Sequence, residues 1–370
     1  MFVKDAAVTK DGDDMDRTEA NSGTRAVSDR LAFDVAALEA WMADHVEGFA
    51  GPLSVTQFKG GQSNPTYRLD AASGRAFVLR RKPPGTLLPG AHAVEREARV
   101  MSALGPADFP VPRIHGLCED AGVIGTPFFV MDLVEGRIIW EAAFPGLSTA
   151  QRAAHFDAMN ATIAQLHSLD PAAIGLGDYG RPAAFVERQV ARWSKQYLAD
   201  SDAGRVPQMD ALVDWLGKHL PPDRGEARIV HGDFRCDNMI FDANQPRIRA
   251  VLDWELSTLG DPLADFVYHL LMYRMPAGLF TGLAGLDLSA LGIPSEEEYV
   301  AAYCRRTGRS HVPDLDYLMV FVMFRLAGIL HGIRGRVARG NASSAHAAAM
   351  AAQLEPLAEL ALAQAKRARL

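Results

Sequence analysis

Three oxygen-bearing side chains stand at a spacing that suits chemistry on a hydroxyl group: Asp233, Asn238 five positions later, and Asp253 twenty positions after the first. Short apolar runs flank them and predict small strands at residues 227–230, 239–241 and 248–252. The three side chains are therefore expected in loops at strand ends, where rigid neighbours can hold them against a ligand. A carboxylate can orient a hydroxyl, and hard oxygen atoms suit a hard cation. The pattern predicts a base at Asp233 and Mg²⁺ ligands at Asn238 and Asp253.

The sequence around these residues resembles a known family. His231-x-Asp233-x-x-x-x-Asn238 followed by Asp253 is similar to the catalytic core of the aminoglycoside phosphotransferase family, whose members are relatives of the protein kinases. Further segments resemble one branch, the kinase-like module found alone in bacteria or fused to acyl-CoA dehydrogenases: residues 58–67, 78–85 and 260–265. The likeness runs from about residue 53 to about residue 340, so it covers most of the chain.

The resemblance implies an α+β, protein-kinase-like fold of two lobes. We expect a mobile tail at residues 1–30, a nucleotide-binding N-lobe with an antiparallel β-sheet and a helix at residues 31–136, and a mainly α-helical C-lobe for catalysis and substrate at residues 137–370. Hydrophobic periodicity predicts strands at residues 53–58, 66–69, 76–80, 111–117 and 127–131. It predicts a helix capped by Asp34 and further helices at residues 91–104, 149–169, 185–197, 209–220, 262–272, 295–307, 315–338 and 343–366. Pro356 is expected to bend the last of these.

The loop between the first two predicted strands has the small residues that a phosphate-binding turn needs. In Gly60, Gly61, Gln62, Ser63 and Asn64, little side chain stands between the backbone N–H groups and a phosphate. A plain hairpin turn is the alternative for such a Gly-Gly pair. The catalytic motif downstream favours the phosphate role.

The third predicted strand carries basic residues. Arg80 stands where kinases have a lysine, so the resemblance implies that Arg80 pairs with the α and β phosphates of a nucleotide. Because side chains alternate along a strand, Arg81 is expected to face solvent. Glu97 matches the family position that steadies the basic residue of the strand, with Glu95 as the alternative.

Three more roles follow from the resemblance. Asp132 and Val134 lie in the expected linker between the lobes, where an adenine would pair with backbone N–H and C=O groups. Such contacts do not distinguish ATP from GTP. His231 belongs to the catalytic loop with Asp233 and is expected to hold that loop through hydrogen bonds rather than to exchange protons. Asp261 is expected to cap the following helix and also to brace the catalytic loop.

A run of arginines bears on the phosphoryl acceptor. Seven arginines lie between residues 305 and 339: Arg305, Arg306, Arg309, Arg325, Arg334, Arg336 and Arg339. No Asp or Glu stands between Tyr317 and Leu354. This composition suits an anionic substrate better than a polycationic antibiotic. The predicted substrate-binding residues are Arg188, Arg192, Trp193, Glu255 and Arg325. For the first three, a structural alternative is Trp in the core and Arg in water.

The resemblance implies a Mg²⁺-dependent enzyme that moves the γ-phosphoryl group of ATP to a hydroxyl of a small molecule. The expected acceptor is a hydroxyacyl-CoA or a hydroxy acid, and a functional link to an acyl-CoA dehydrogenase is expected as well. One alternative is an aminoglycoside-type antibiotic kinase, which the arginines disfavour. A second alternative is a non-catalytic nucleotide-binding scaffold, which the presence of all three oxygen-bearing side chains disfavours. A protein kinase is less compatible still, because no long activation loop follows Asp253.

Composition excludes several other classes. A formal charge of −7 over 370 residues argues against a general nucleic-acid binder. Three scattered cysteines are too few for a disulfide framework or a zinc site. The first thirty residues lack the apolar core of a signal peptide, and no uncharged apolar run approaches membrane-spanning length. We therefore expect a cytoplasmic protein without membrane partners.

Overall fold

The computed structural model describes residues 23–59, 64–85, 92–277, 282–340 and 347–368. The chain divides into two compact units, the first formed by residues up to 102 and 112–135, the second by residues 103–111 and 136 onward. An antiparallel sheet dominates the first unit and helices dominate the second. The predicted α+β class is therefore confirmed.

The first unit is built on a six-stranded antiparallel sheet in the order β1-β2-β3-β4-β6-β5. Its strands are β1 (Thr24–Arg25), β2 (Leu53–Phe58), β3 (Thr66–Ala71), β4 (Ala76–Arg81), β5 (Ile114–Cys118) and β6 (Phe128–Asp132). In β3, Tyr67 and Leu69 alternate with more exposed residues, as a strand with one buried face requires. This sheet presents the basic end of β4.

Three helices accompany the sheet of the first unit: α1 (Val35–His45), α2 (Val94–Leu104) and α3 (Ala121–Ile124). The side chain of Asp34 caps α1 by accepting a hydrogen bond from the N–H of Ala37 at 3.0 Å. Leu38 and Met42 on its inner face pack into one apolar core with the sheet. The predicted strands and both long helices of this unit are present, with ends that differ by a few residues.

The prediction of a mobile tail over residues 1–30 is wrong for its last part. Residues 1–22 lie outside the described residues, but Thr24 and Arg25 form β1 against Phe58 and Gln57 of β2. A short 3₁₀ helix follows at Asp29–Leu31. The carbonyl of Leu31 then accepts a hydrogen bond of 2.9 Å from the hydroxyl of Tyr67. This stretch is therefore part of the sheet unit.

The second unit consists mainly of helices: α4 (Thr149–Ser168), α5 (Phe185–Ala199), α6 (Pro207–Lys218), α7 (Pro262–Arg274), α8 (Leu288–Leu291), α9 (Glu296–Thr307), α10 (Leu315–Ala338), α11 (Ala347–Ala351) and α12 (Leu354–Arg367). Two antiparallel strand pairs carry the predicted catalytic loops: β7 (Arg228–Val230) with β10 (Thr258–Gly260), and β8 (Met239–Phe241) with β9 (Ile248–Val251). The sequence did not predict β10, because this three-residue strand has only one bulky apolar residue.

The structure also differs from the prediction of a single helix at residues 343–366. Instead of one helix bent at Pro356, the chain forms α11 and α12, with a break after Ala351. Pro356 is the third residue of α12, in the first turn, where its missing N–H breaks no hydrogen bond of the helix interior.

Residues 103–111 depart from the predicted N-lobe and belong to the second unit. The carbonyl of Pro110 accepts a hydrogen bond from the N–H of Val251 at 2.8 Å. The ring of Phe109 packs edge-on against Trp254, with 5.8 Å between ring centroids. These contacts tie the segment to the strand that precedes Asp253.

Within the described residues, α10 is the one helix whose length and composition would allow it to cross a membrane, with a mean hydropathy of 1.5 over its most apolar window. That window is 72% buried inside the protein. The helix contains Arg325, which bonds to a backbone carbonyl of the second unit. These features describe a core helix of the unit.

Candidate active site

Asp233 lies in the loop that follows β7, and hydrogen bonds reach both of its carboxylate oxygens. Oδ1 accepts from the hydroxyl of Tyr268 at 2.6 Å. Oδ2 accepts from Nδ2 of Asn238 at 3.0 Å, and the same Nδ2 donates to the backbone carbonyl of Asp233 at 2.9 Å. Two of the three residues that the sequence predicted as an oxygen-bearing group are thus in direct contact.

Asp265, on α7, braces the backbone of this loop. Its carboxylate accepts hydrogen bonds from the N–H groups of His231 and Gly232, both at 2.8 Å. Nε2 of His167 donates to the same carboxylate at 3.2 Å. Burial would raise the pKa of Asp265, but the hydrogen bond and charge of His167 and the contacts with His231 outweigh it and lower that pKa.

The prediction gave the bracing role to Asp261, which does not reach the loop through any hydrogen bond assigned in the described part of the chain. Its Oδ1 caps α7 by accepting from the N–H of Leu263 at 2.8 Å. Its other oxygen pairs with Arg224 at 3.2 Å. Only the capping half of the prediction agrees with the structure, because Asp265 is one helical turn further on and faces the loop.

His231 is fully buried, and backbone groups occupy both nitrogens of its ring. Nε2 donates to the carbonyl of Leu252 at 2.8 Å, and Nδ1 accepts from the N–H of Asp233 at 3.1 Å. This pattern requires a proton on Nε2 and a lone pair on Nδ1, which is the neutral ring. The geometry suits the expected loop-holding role and leaves no nitrogen to exchange protons with a substrate.

Asp253 directly follows Leu252, whose N–H donates to the backbone carbonyl of Asn238 at 2.8 Å. Its backbone lies in the left-handed region at φ 63°, which is unusual for a residue with a side chain. Since Nδ2 of Asn238 is turned toward Asp233, Oδ1 is the atom that this amide can offer a cation. Strained backbone at a predicted ligand position is typical of functional loops.

These residues fit a magnesium ion. Mg²⁺ usually binds through one or two protein oxygens and completes its shell with phosphate oxygens and water. Asn238 and Asp253 offer such a small set of hard donors. No group of three or more His, Cys, Asp or Glu that could hold a metal occurs in the parts of the chain that the structure describes.

The charges around Asp233 favour its ionised form. Burial alone would raise the pKa of Asp233, but the charge of Arg235, the hydrogen bond from Tyr268 and the charge of Arg325 lower it overall. Arg235 itself is held by a two-point contact with Asp237, at 3.0 and 2.6 Å. The carboxylate is therefore ready to accept a proton or a hydrogen bond.

Cys236, in the same loop, has no reactive character. Its side chain is buried, and burial raises the pKa of the Cys236 thiol to about 12. This supports packing over redox control.

A cavity of about 270 Å³ lies beside this loop within the second unit. Gly232, the residue before Asp233, lines it. Four of the five predicted substrate-binding residues line it too: Arg192, Trp193, Glu255 and Arg325. Phe185 and Phe321 supply apolar wall, so the cavity combines aromatic surface with two guanidinium groups. This combination suits a ligand with an apolar body and an anionic group.

Arg188 is not among the residues that line this cavity. Its Nη2 donates to the backbone carbonyl of Arg181 at 2.5 Å, which turns the side chain back toward its own end of α5. The predicted substrate contact of Arg188 is therefore not supported. Arg192, one helical turn later, lies on the face that meets the cavity.

Most of the seven arginines between residues 305 and 339 do not line this cavity. Arg306, Arg309, Arg334 and Arg339 all form ion pairs with acidic side chains elsewhere in the second unit. Of the seven, only Arg325 is among the residues lining the cavity. Three of the four acidic partners lie more than eighty residues earlier in the chain, and Glu355, the partner of Arg334, directly follows the stretch without acidic residues.

The first unit holds the predicted nucleotide residues of β4 and α2. Nε of Arg80 pairs with the carboxylate of Glu97 at 2.9 Å, and both side chains are nearly buried, 10% and 1% exposed. Asn64 donates from Nδ2 to Glu97 at 2.9 Å. Glu95, the alternative partner, pairs with Lys82 instead. The structure thus selects Glu97 as the partner of Arg80.

The structure contradicts the prediction that Arg81 faces solvent. It is 2% exposed rather than solvated. Its guanidinium donates to the carbonyls of Leu31 and Ile124 and lies over the rings of Phe33 and Tyr67. Alternation along β4 does place Arg80 and Arg81 on opposite faces, but the face that carries Arg81 is covered by the segment that leads into α1 and by the carbonyl of Ile124.

The remaining predicted nucleotide contacts are less defined. Gly60, Gly61, Gln62 and Ser63 lie outside the described residues. The N–H of Asp132 donates to the carbonyl of Arg113 at 2.9 Å, and its side chain accepts from His115 at 2.6 Å. Val134 follows in a segment without regular secondary structure. The backbone N–H of Asp132 therefore already has an acceptor within the protein, which weakens its predicted contact with an adenine.

Sequence reasoning missed Tyr268 and misplaced the role of Asp265. Tyr268 stands in an almost wholly apolar helix, where a tyrosine is typical of a core position. Its position six residues after Pro262, the first residue of α7, gives no sign of a contact with Asp233. Spacing within α7, which puts Asp265 and Tyr268 three apart and therefore on one face, was the usable signal.

Comparisons with known proteins agree with this geometry. The model of a family described as APH, phosphotransferase enzyme family, matches residues 54–321. A crystal structure from Ralstonia eutropha, assigned provisionally as an aminoglycoside phosphotransferase, is 49% identical, with a TM-score of 0.84 over 92% of this chain and 100% of that one. It confirms the predicted kinase-like fold.

Two further comparisons extend this. The chain is 43% identical over 341 residues to acyl-CoA dehydrogenase family member 10 of Mus musculus, covering 91% of this chain and 32% of that protein. The chain thus spans about a third of that relative's length. The GDP complex of aminoglycoside 2′-phosphotransferase-IIIa, 15% identical, gives a TM-score of 0.55 over 89% of this chain and 99% of that one, a likeness of fold alone. This chain belongs to the APH phosphotransferase enzyme family, a family of kinase-type phosphotransferases.

Proposed function

We propose that this protein transfers the γ-phosphoryl group of a nucleoside triphosphate to a hydroxyl group of an anionic small molecule. The observation that carries the proposal is the ionised carboxylate of Asp233, which is held from both oxygens and directly follows Gly232, a lining residue of the cavity with two arginines. Family membership supports the reaction type.

Asp233 would act on the acceptor hydroxyl. Its carboxylate would accept the hydroxyl proton as the acceptor oxygen forms its bond to phosphorus and the bond from phosphorus to the nucleoside diphosphate oxygen breaks. The hydrogen bonds from Tyr268 and Asn238 orient the carboxylate before the acceptor arrives. Such preorganisation is the main contribution that a protein makes to phosphoryl transfer.

Arg80 would supply positive charge to the nucleotide phosphates. Its pair with Glu97, in which Asn64 also takes part, holds the guanidinium at the end of β4. Arginine presents a planar fork of donors, so it can bind phosphate oxygens at two points where a lysine binds as a single charge. The predicted Gly60–Ser63 turn and the backbone of Val134 complete the proposed nucleotide contacts.

Asn238 and Asp253 would hold Mg²⁺. When bound, the ion would neutralise charge on the transferred phosphoryl group and the leaving diphosphate. The backbone hydrogen bond between Leu252 and Asn238 keeps the two ligand segments side by side.

The cavity supports the acceptor class. Arg192 and Arg325 present positive charge, whereas the acidic lining consists of Glu255 and of Asp265, whose carboxylate already accepts three hydrogen bonds. The aromatic walls suit an apolar body. A hydroxy acid or its coenzyme A thioester has this chemistry, and the family name of the mouse relative is compatible with the thioester.

A screen for phosphoryl acceptors tests the proposal. The protein is incubated with ATP, Mg²⁺ and pools of hydroxy acids, hydroxyacyl thioesters and sugars, and mass spectrometry follows the gain of one phosphoryl group. We expect gain on an anionic hydroxylated compound with the wild type and none with Asp233→Asn. Gain that persists undiminished in Asp233→Asn would contradict the role of Asp233.

The second candidate function is an aminoglycoside-type kinase, which the assignment of the Ralstonia eutropha structure favours. Aminoglycosides are polycations, and an enzyme for them should surround its acceptor with carboxylates. Kanamycin-type amines belong in the same screen. A clear preference for them over anionic acceptors would overturn the proposed substrate class while leaving the reaction type intact.

A further inference from the structure

The orientation of Asp233 depends on a residue outside the catalytic motif. Rotation about the Cβ–Cγ bond of an aspartate is soft, so a carboxylate in a loop samples a wide range of orientations. Here Oδ1 accepts from Tyr268 at 2.6 Å while Oδ2 accepts from Asn238 at 3.0 Å. A donor on each oxygen sets the plane of the group.

Tyr268 is itself held in place. It lies in α7 and is 4% exposed. The guanidinium of Arg325 lies over its ring at 4.9 Å, and Nη2 of Arg325 donates to the carbonyl of Gly232 at 2.7 Å. Arg325 therefore connects the ring of Tyr268 with the backbone of the residue before Asp233. Burial raises the pKa of Tyr268, so its hydroxyl remains a donor at neutral pH.

We infer that Tyr268 is a positioning residue whose hydroxyl sets the orientation of the Asp233 carboxylate, with Arg325 holding the ring that carries it. The inference rests on the proposed function, because it assigns Tyr268 a part in that reaction. In this assignment Tyr268 acts on the acceptor oxygen through its hydrogen bond to Asp233. Its loss should therefore lower turnover and leave substrate affinity unchanged.

The test compares two matched substitutions on one helix. Tyr268→Phe removes the hydroxyl and keeps the ring. Tyr273→Phe is the control, because Tyr273 is also buried on α7 and its hydroxyl has no hydrogen-bond partner among the described residues. Release of nucleoside diphosphate is measured with Mg-ATP and the hydroxy-acid pool as acceptor. We expect Tyr268→Phe to lower kcat by about 10-fold to 100-fold with the KM for ATP unchanged, and Tyr273→Phe to match the wild type.

A double-substitution cycle separates positioning from general damage. If Tyr268 acts through Asp233, Tyr268→Phe should cause no further loss in an Asp233→Asn background. Equal loss in both backgrounds, or wild-type turnover in Tyr268→Phe, would overturn the inference. Should Tyr268→Phe fail to fold, Arg325→Lys takes its place, since lysine keeps the charge but not the planar group over the ring, and the same pattern is expected.

Different results would contradict the proposed function and the role of Tyr268. No ATP-dependent transfer in the wild type, or equal turnover in Asp233→Asn and the wild type, would contradict the proposed function. Slow turnover in Asp233→Asn together with full turnover in Tyr268→Phe would contradict only the role of Tyr268.

Discussion

The carboxylate of Asp265 accepts a hydrogen bond of 2.8 Å from the backbone N–H of His231, thirty-four positions earlier in the chain. A second bond, from Gly232, also measures 2.8 Å. A helix side chain thus substitutes for the backbone partners that a strand would give these N–H groups. Both β7, which precedes the loop of His231 and Asp233, and α7, which supplies Asp265, therefore determine the conformation of this loop.

Asp265→Asn should therefore destabilise the protein by about 2–4 kcal/mol at pH 7, because the buried charge-assisted bonds weaken and His167 loses its anionic partner. The pKa of Asp265 is lowered in the folded protein, so its charge stabilises the fold above the ordinary pKa of aspartate, and that contribution disappears as pH falls through the lower folded value. Urea unfolding across pH should show a constant difference between variant and wild type at neutral pH that narrows below about pH 4.

Asp261→Asn is the matched control at the start of the same helix. Burial raises the pKa of Asp261 in the folded protein, so the sign is reversed: the wild type gains relative stability as pH falls through that raised value. A difference that narrows in acid for Asp261→Asn, as for Asp265→Asn, would show that these carboxylates do not differ as the structure indicates.

Glu97→Gln should destabilise the first unit by about 2–4 kcal/mol, because it removes the carboxylate charge that pairs with the nearly buried guanidinium of Arg80. The KM for ATP should rise, since Arg80 would lose its orientation. Glu95→Gln, on the same helix, breaks a more exposed pair with Lys82 and should cost about 1 kcal/mol or less. Unfolding curves and nucleotide titrations check both variants, and equal effects would argue against a special role for Glu97.

Gly232→Ala should lower both stability and turnover. Gly232 has φ +83°, and an added Cβ would stand 3.0 Å from Cβ and from the carbonyl oxygen of Leu256. We expect a loss of about 1–3 kcal/mol and a displaced Asp233. Gly204→Ala has a similar φ of +71° but open space around the new Cβ, so it should cost about 1 kcal/mol and leave turnover intact. Unfolding and kinetics on the pair separate backbone strain from the clash.

Arg192→Gln should raise the KM for an anionic acceptor by about 10-fold, equivalent to roughly 1.4 kcal/mol, with the KM for ATP unchanged. Arg188→Gln, one turn earlier on the same helix but turned away from the cavity, should leave both constants unchanged. Steady-state kinetics on the acceptor found by the screen decides this. An effect of Arg188→Gln equal to that of Arg192→Gln would contradict the assignment of the cavity.

Short-range sequence patterns predicted the strands and the neighbouring residues of the catalytic motif. Strand alternation identified β2, β3 and β4, and motif spacing identified Asp233 and Asn238 as neighbours, because short loops between short strands leave few arrangements. The ion pair of Arg80 with Glu97 followed from the family resemblance, with Glu95 left open as its alternative, and the structure selected Glu97.

Long-range contacts account for what the sequence did not reveal. The strand pattern predicts a solvated Arg81, but the ring of Phe33 and the carbonyls of Leu31 and Ile124 cover its guanidinium. The local sequence indicates free positive charge at Arg306 and Arg339. In the structure they pair with Asp157 and Asp200, which come from distant parts of the chain. The sequence indicates a core position for Tyr268, but its hydroxyl donates a hydrogen bond to Asp233. In each case the deciding partner lies more than thirty residues away.

The most direct test of the account is the single-turnover rate of γ-phosphoryl transfer from labelled ATP to the acceptor, measured for the wild type and for Asp233→Asn. Loss of the base should slow transfer by about 100-fold to 10,000-fold while nucleotide binding persists. We predict that the wild type transfers label to a hydroxyl of an anionic compound and that Asp233→Asn binds ATP but scarcely transfers it. Equal rates in the two proteins would contradict the central claim.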